Sequence, residues 1–282
     1  MWERPGLREA AAGNERIVAA GWYTAPGGGR VEIGAAVARA AAGSALFGPE
    51  PVPGVSDAAA PGGPGARPVF EVTGETSLAA ARRLAGAAGG PVAVLNFASA
   101  RNPGGGYVKG AKAQEEDLCR ASALYTCLLR VPEFYAAHRA AGDPFYSDRV
   151  IHSPGVPVFR DDAGTLLDEP YEAGFLTAAA PNAGVVAERA PGRAPDLPAA
   201  LRTRAERVLE VAAVTGYRRL VLGAWGCGVF RNDPAVVAGA FRALLTGVGR
   251  FARHFDRITF AILDRHDPSP TRNAFTAAFP AA

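Results

Sequence analysis

Two adjacent carboxylates, Glu115 and Glu116, stand at the expected start of a helix and could perform acid–base chemistry. Neighbouring carboxylates raise each other's pKa, and burial raises it further. A glutamate that stays protonated near neutral pH can serve as a general acid. Acidic residues in a first helical turn are also a common complement to the helix dipole, so the pair alone does not establish a catalytic site.

Three consecutive glycines, Gly104, Gly105 and Gly106, precede these glutamates. Glycine permits positive φ and lets a backbone approach a ligand closely, and the free N–H groups of a helix start favour anionic ligands. Taken alone, the glycines are more typical of a flexible surface loop. Because they follow a buried strand and are separated from Gln114, Glu115 and Glu116 by a spacer of seven residues, the combined pattern indicates a ligand site.

A second glycine-rich turn lies between a predicted strand and a helix that begins at an Asp-Pro pair, which is a typical N-cap and first helical position. Its residues are Gly226, Cys227, Gly228, Val229 and Phe230. Open backbone N–H groups in such a turn can bind a phosphate or diphosphate, and Phe230 could cover a sugar or a base. The turn matches neither a P-loop nor a dinucleotide-binding fingerprint. A generic strand-to-helix turn remains the other interpretation.

Strands and helices alternate from residue 68 onward, and these elements must position both turns. We predict strands at 69–73, 91–97, 149–153, 156–159, 175–180, 219–224 and 256–263, and helices at 77–87, 114–129, 197–215, 234–255 and 273–279. The alternation predicts a three-layer α/β fold with a mixed, largely parallel central sheet. Ligands in such folds bind beyond the carboxyl ends of the strands, where both glycine-rich turns are expected.

The first 65 residues follow a different pattern. They predict a helix at 7–20, a hairpin formed by 21–24 and 31–33, and a helix at 35–42, followed by a Pro- and Gly-rich linker or long loop at 48–68. We therefore expect an N-terminal accessory segment ahead of the alternating region.

The composition permits a large buried core and argues against several classes of protein. The chain has 282 residues, 49% of them hydrophobic, with a net charge of +3 and three cysteines. The charge is too small for a dedicated DNA-binding protein, and the cysteines form neither a disulfide framework nor a zinc motif. No apolar run approaches the roughly 20 residues that span a bilayer, and the start lacks a secretory signal. We expect a cytoplasmic protein without a membrane partner or a sequence-specific nucleic-acid partner.

The glycines, the spacer and the Gln114-Glu115-Glu116 triplet together resemble the signature of the poly(ADP-ribose) glycohydrolases. The turn at 223–230 resembles the diphosphate loop of the macrodomain fold on which that family is built. The Asn-Phe-Ala sequence at 96–98 and the short helical N-terminal segment are similar to the compact bacterial type. The resemblance implies a macrodomain-like catalytic domain at 68–282 and an accessory segment at 1–67.

The resemblance also implies roles for individual residues. Glu116 would be the catalytic acid/base, Glu115 would hold the distal ribose by its hydroxyls, and Gln114 would help position the loop. Asn102 and the glycines would contact the distal ribose and the phosphates. The turn at 226–230 would bind the diphosphate, with Phe230 packed on the ribose. No metal or cofactor is implied.

Three other residues have less specific expectations. Tyr107 is expected either over the ribose or at the surface. Cys227 is expected to be a small buried residue, and His152 a structural histidine rather than a catalytic one.

The expected reaction is hydrolysis of ribose–ribose 1″–2′ glycosidic bonds, which would release ADP-ribose from the ends of the polymer. The expected partners are poly(ADP-ribose) and ADP-ribosylated proteins, and we expect a monomer. One alternative is a macrodomain that binds ADP-ribose without cleaving it, which would not need the glutamate pair. Another is a hydrolase of mono-ADP-ribosylated protein or of O-acetyl-ADP-ribose. A nucleotide-binding oxidoreductase is a weaker alternative, because its dinucleotide fingerprint is absent.

Overall fold

The structure is a computed structural model that describes residues 4–55, 67–264, 266 and 268–280. The N-terminal elements are α1 (Arg4–Ala20), β1 (Trp22–Thr24), β2 (Arg30–Glu32), α2 (Gly34–Gly43) and β3 (Ala45–Phe47). The next elements are β4 (Val69–Thr73), α3 (Ser77–Ala85), β5 (Val92–Phe97), α4 (Gln114–Ala121), α5 (Leu124–Leu128) and α6 (Pro132–Ala141). They are followed by β6 (Val150–Arg160), β7 (Leu166–Ala178), α7 (Ala183–Arg189), α8 (Leu197–Val214), β8 (Arg219–Leu222), α9 (Pro234–Leu245), β9 (Arg257–Ala261) and α10 (Pro270–Ala278).

Seven strands form the central sheet in the order β3-β6-β7-β5-β8-β9-β4. The pairs β7–β5, β5–β8, β8–β9 and β9–β4 are parallel, whereas β3–β6 and β6–β7 are antiparallel. The predicted mixed, largely parallel sheet is therefore confirmed. Strands β1 and β2 form a separate antiparallel hairpin, as predicted.

Helices cover both faces of the sheet, and β5 illustrates how one strand serves two cores. Val92 and Val94 pack into a cluster with residues of α3, α4, α5 and α6, whereas Ala93 and Leu95 pack into a second cluster with residues of α8, α9 and α10. Successive side chains of a strand point to opposite faces, so a strand that is buried on both sides is apolar throughout. The predicted three-layer α/β architecture is confirmed.

Several predicted elements have different bounds in the structure. The strand predicted at 175–180 is β7, which begins at Leu166 and ends at Ala178. The single helix predicted at 114–129 is two helices, because Ser122 leaves the helical path and forms an isolated bridge with Val158. The two strands predicted at 149–153 and 156–159 are one strand, β6, with a bulge between Ser153 and Val156. The helix predicted at 234–255 ends at Leu245, where an extended Thr246 follows.

Strand β3 and helices α6 and α7 were not predicted from the sequence. β3 pairs with β6 in the register Ala45↔His152, so the N-terminal segment supplies an edge strand of the main sheet. The boundary between 67 and 68 stays a prediction. The linker predicted at 48–68 contains no helix or strand at 48–55 or at 67–68, and its middle part, 56–66, lies outside the described residues.

Within the described parts of the chain, no helix is both long enough and apolar enough to cross a membrane.

Candidate active site

The two glycine-rich turns meet because they leave neighbouring parallel strands. The first turn follows β5, which ends at Phe97, and the second follows β8, which ends at Leu222. The two strands run parallel and side by side, so their carboxyl ends lie at the same edge of the sheet. A β-carbon at Gly223, the first residue after β8, would lie 3.0 Å from Cζ of Phe97.

Gln114 fixes the start of helix α4 to strand β5 by three hydrogen bonds. Its Oε1 accepts from the backbone N–H of Phe97 at 2.9 Å, and its Nε2 donates to the Leu95 carbonyl at 2.8 Å and to Ser77 Oγ at 3.1 Å. Only an amide side chain can accept a hydrogen bond through its oxygen and donate two through its nitrogen. These bonds hold the first turn of α4 in a fixed position relative to the end of β5.

Glu115 is buried, with 3% of its surface exposed. Its Oε2 accepts from the backbone N–H of Ser99 at 2.7 Å, and its Oε1 accepts from Asn96 Nδ2 at 3.2 Å. Burial raises the pKa of Glu115 to about 8, the negative charge of Glu116 also raises it, and the hydrogen bonds oppose that shift. Asn96 Oδ1 has no protein partner, so a flip of the amide would let Oδ1 accept a hydrogen bond from the O–H of neutral Glu115.

Glu116 lies directly beside the glycine turn and is 8% exposed. Its Oε1 accepts from the backbone N–H of Gly106 at 2.8 Å. A β-carbon at Gly105 would overlap the same oxygen and would lie 3.2 Å from Glu115 Oε2. Both carboxylates therefore face the backbone of the turn that precedes them.

The conformation of the first turn requires glycine. Gly104 and Gly105 have φ of 63° and 58°, which L side chains rarely adopt. The Gly105 N–H donates to the Asn102 carbonyl at 3.0 Å, and the Tyr107 N–H donates to the Gly104 carbonyl at 3.0 Å. A β-carbon at Gly104 would lie 2.8 Å from the ring of Tyr125.

The second turn is shaped by Gly226 and Asn232. Gly226 has a φ of 73°, and a β-carbon there would lie 2.5 Å from Asn232 Nδ2 and 2.6 Å from the β-carbon of Ala180. The buried Asn232 donates from Nδ2 to the carbonyls of Pro181 at 2.8 Å and Gly226 at 3.1 Å. Sequence reasoning missed Asn232, because an asparagine in a polar turn gives no signal of burial.

The outer part of the second turn offers open hydrogen-bond donors. Among the described residues, the backbone N–H groups of Gly228, Val229 and Phe230 have no protein acceptor. Val229 is 81% exposed at the tip of the turn. The ring of Phe230 is partly buried and lies 5.9 Å from the ring of Tyr146, centroid to centroid. This arrangement presents N–H groups and an aromatic edge to a ligand.

A cavity of about 650 Å³ extends from the second turn towards the ends of β4 and β9. Cavities of this size accommodate nucleotide-sized ligands. Its walls include Phe97, Gln114, Cys227, Gly228, Ile262 and Asp264. The carboxylates of Glu115 and Glu116 are not part of these walls, so the cavity leads up to the first turn of α4 rather than enclosing the pair.

The remaining predicted residues have mixed outcomes. Asn102 is exposed, and its side chain forms no hydrogen bond with either glutamate. Both expectations for Tyr107 were wrong, because its side chain is fully buried against helix α1. Cys227 is only partly buried, and burial raises the pKa of its thiol to about 12. His152 is a buried structural residue, as expected, and its Nε2 lies 3.1 Å from the hydroxyl of Tyr217.

No group of three or more His, Cys, Asp or Glu side chains that could hold a metal ion is present in the described residues.

Comparison with known proteins places these features in a family. The family model described as microbial-type PARG, catalytic domain, matches residues 11–161. No curated protein matches the chain.

Several solved structures are similar over most of the chain. The crystal structure of poly(ADP-ribose) glycohydrolase from Thermomonospora curvata shares 50% identity, with 98% of this chain and 100% of that chain covered and a TM-score of 0.93. The same enzyme bound to the inhibitor ADP-HPD shares 49% identity over the same shares of both chains, with a TM-score of 0.91. The enzyme from Deinococcus radiodurans in complex with ADP-ribose shares 47% identity, with 86% of this chain and 97% of that chain covered and a TM-score of 0.80.

Proposed function

This chain belongs to the microbial-type poly(ADP-ribose) glycohydrolases, and we propose that it cleaves the ribose–ribose 1″–2′ bonds of its substrate with Glu116 as the acid/base residue. The main support for this assignment is the position of Glu116. Its carboxylate is fixed by the N–H of Gly106 at the glycine turn, in the first turn of α4, whose Gln114 lines a cavity large enough for a nucleotide. A general acid must be held within reach of the bond it protonates, and this bond supplies that restraint.

The reaction follows from one carboxyl group acting twice. Glu116 in its protonated form donates its proton to the departing 2′-oxygen while the C1″–O2′ bond breaks. The positive charge that develops on the ribose resembles an oxocarbenium ion, and the nearby diphosphate stabilises it. Glu116, now a carboxylate, removes a proton from a water molecule whose oxygen attacks C1″. The products are ADP-ribose and a shortened polymer, and Glu116 is again protonated.

Glu115 is proposed to hold the distal ribose by its hydroxyl groups. Its two oxygens already accept from Ser99 N–H and Asn96 Nδ2, which fix the orientation of the carboxyl group. With a pKa of about 8, Glu115 is largely neutral at pH 7, so it adds no negative charge of its own beside the ribose. A neutral carboxyl group can also donate a hydrogen bond to a ribose oxygen.

The second turn is proposed to bind the diphosphate. Free backbone N–H groups at Gly228, Val229 and Phe230 suit an anionic ligand, and Phe230 would pack on the distal ribose. Gly226 and Cys227 complete the turn, with Gly226 providing its shape. The exposed side chain of Asn102 is free to reach the distal ribose from the rim.

The resemblance to the compact bacterial type favours cleavage from the ends of the polymer. The partners in this proposal are poly(ADP-ribose) and ADP-ribosylated proteins, and the protein acts as a cytoplasmic monomer. The sizes of the products during early digestion of long polymer test the mode: release of ADP-ribose alone supports it, and early oligomers contradict it.

The central experiment compares Glu116→Gln with Glu133→Gln, a control at an exposed glutamate on α6. We expect Glu116→Gln to lose about 10²- to 10⁴-fold in the rate of ADP-ribose release while it binds ADP-ribose with unchanged affinity by calorimetry. Glu133→Gln should match the wild type in both assays. Normal turnover by Glu116→Gln would refute the assigned role.

The two alternative functions are separated by the choice of substrate. A binding module would leave polymer intact while it binds ADP-ribose. A hydrolase of mono-ADP-ribosylated protein would release ADP-ribose faster from a mono-modified acceptor than from polymer. We expect this protein to release ADP-ribose faster from polymer than from a mono-modified acceptor.

A further inference from the structure

We propose that helix α1 positions the carboxylate of Glu116, and that Tyr107 is the positioning residue through which it acts. This inference rests on the proposed role of Glu116. It assigns a task to the N-terminal segment, which contributes no residue to the site described above.

Helix α1 presents one face to the site. Leu7, Ala11 and Asn14 are each at most 2% exposed, and their spacing places them on the same side of the helix. Glu15 is adjacent on this side, one turn after Ala11. A fully buried asparagine in an otherwise apolar stripe requires hydrogen-bond partners, and two of the partners of Asn14 lie at the end of α4.

The first contact of α1 is with the residue that follows the glycine turn. The hydroxyl of Tyr107 lies 3.0 Å from Glu15 Oε1 and 3.2 Å from the Ala11 carbonyl, and its single hydrogen can be donated to either acceptor. The Tyr107 side chain is fully buried, and its ring lies 5.0 Å from the ring of Tyr125, centroid to centroid. Tyr107 is the chain neighbour of Gly106, whose N–H holds Glu116. The contacts that fix Tyr107 therefore limit the movement of the Gly106 N–H group.

The second contact of α1 is with the far end of helix α4. Asn14 Nδ2 donates to the carbonyls of Cys119 at 2.9 Å and Ser122 at 3.0 Å, and Asn14 Oδ1 accepts from Arg160 Nε at 3.1 Å. These carbonyls lie at the end of α4, where a helix leaves acceptors without partners. Because α4 has only eight residues, fixing its last turn also fixes its first turn, which carries Glu116.

One face of α1 thus holds both sides of the hydrogen bond between Gly106 and Glu116. The Gly106 side is held through Tyr107, and the Glu116 side is held through Asn14. Arg8 adds a contact on the Gly106 side, since its Nε donates to the Lys109 carbonyl at 2.9 Å. Burial raises the pKa of Tyr107, so its hydroxyl remains a neutral donor. Small displacements of catalytic groups lower the reaction rate strongly, so contacts that prevent these displacements favour catalysis.

The test is Tyr107→Phe, which removes one oxygen atom and keeps the ring. We expect kcat to fall about tenfold while KM and the affinity for ADP-ribose stay within about twofold, because the ligand contacts are unchanged. Glu15→Gln retains an acceptor for the hydroxyl and should keep at least half of kcat. Glu9→Gln, at an exposed position of the same helix, is the matched control and should match the wild type. Thermal unfolding of each variant reports whether it is folded.

A double-mutant cycle shows whether Tyr107 acts through Glu116. In the Glu116→Gln background, Tyr107→Phe should lower the residual rate by less than twofold. A normal kcat for Tyr107→Phe would overturn the positioning role, and so would an equal tenfold loss in both backgrounds. If Glu116→Gln itself turned over normally, the assignment of Glu116 would fail instead, and the two failures are therefore distinguishable.

Discussion

The N–H of Gly106 and the carboxylate of Glu116 are joined by a hydrogen bond of 2.8 Å across the glycine turn. The donor comes from the loop after β5, and the acceptor comes from the helix that follows this loop. The shape of the loop therefore sets the position of the carboxylate, and changes in the loop should affect the rate before they affect the fold.

Gly105→Ala should separate catalysis from stability. The new methyl group would overlap Glu116 Oε1 and force the carboxylate away from Gly106, so we expect at least a 10²-fold loss of turnover. The positive φ of 58° adds strain of about 1 kcal/mol. Gly142→Ala is the matched control, since Gly142 has a φ of 63° and open space around it. The Gly142→Ala variant should lose a similar amount of stability in urea unfolding but retain full activity. Equal activity of the two variants would contradict this explanation.

Gly226→Ala should weaken ligand binding. A β-carbon there meets Asn232 and Ala180 at 2.5 Å and 2.6 Å, so the second turn must shift and its free N–H groups move. We expect the Kd for ADP-ribose, measured by calorimetry, to rise at least tenfold, which corresponds to about 1.4 kcal/mol. Gly216→Ala carries the same backbone strain, with a φ of 83° and no close neighbour, and it should leave Kd unchanged. An unchanged Kd in Gly226→Ala would show that the turn does not hold the ligand.

Glu115 should make the stability of the protein depend on pH. Its folded-state pKa of about 8 exceeds the ordinary value of 4.5, so between these values the folded protein holds a proton that the unfolded chain releases. The stabilisation from this proton is complete below about pH 4.5 and is lost as the pH rises through about 8. Glu115→Gln has no titrating group at this position and therefore lacks this contribution to the pH dependence of stability.

The measurement is the free energy of unfolding in urea between about pH 4 and about pH 9. We expect the wild type to lose a few kcal/mol relative to Glu115→Gln over this interval, with most of the change complete by about pH 8. Parallel curves for the two proteins would mean that Glu115 has an ordinary pKa in the folded state.

Gln114→Glu tests the connection between α4 and β5. A carboxylate can still accept from the Phe97 N–H, but it cannot donate to the Leu95 carbonyl and would repel it. We expect about 2 kcal/mol of lost stability at pH 8 from the unsatisfied groups, together with lower turnover because the first turn of α4 loosens. At pH 4 a protonated carboxyl group can donate once, so part of the stability should return. A loss that does not change with pH would indicate a steric cause.

The site could be located from the sequence to the extent that local patterns decide it. A buried strand, three glycines and an acidic helix start predicted the first turn, and glycines between a strand and an Asp-Pro pair predicted the second. The alternation of strands and helices predicted the mixed sheet, because apolar periodicity is set by residues close together in the chain. Both turns follow the carboxyl ends of their strands, as predicted, and the structure places these two strands side by side.

What the tertiary structure alone decided depends on residues far apart in the chain. Asn14 and Ser122 are 108 positions apart, and Tyr107 and Glu15 are 92 apart, so no local pattern could reveal that α1 contacts both ends of the segment from Tyr107 to Ser122. The edge strand β3 and the break after Ala121 likewise arise from pairing with β6. The amino-acid sequence determined which groups can do the chemistry. Their burial, and hence the raised pKa of Glu115 and the fixed position of Glu116, comes from packing between distant segments.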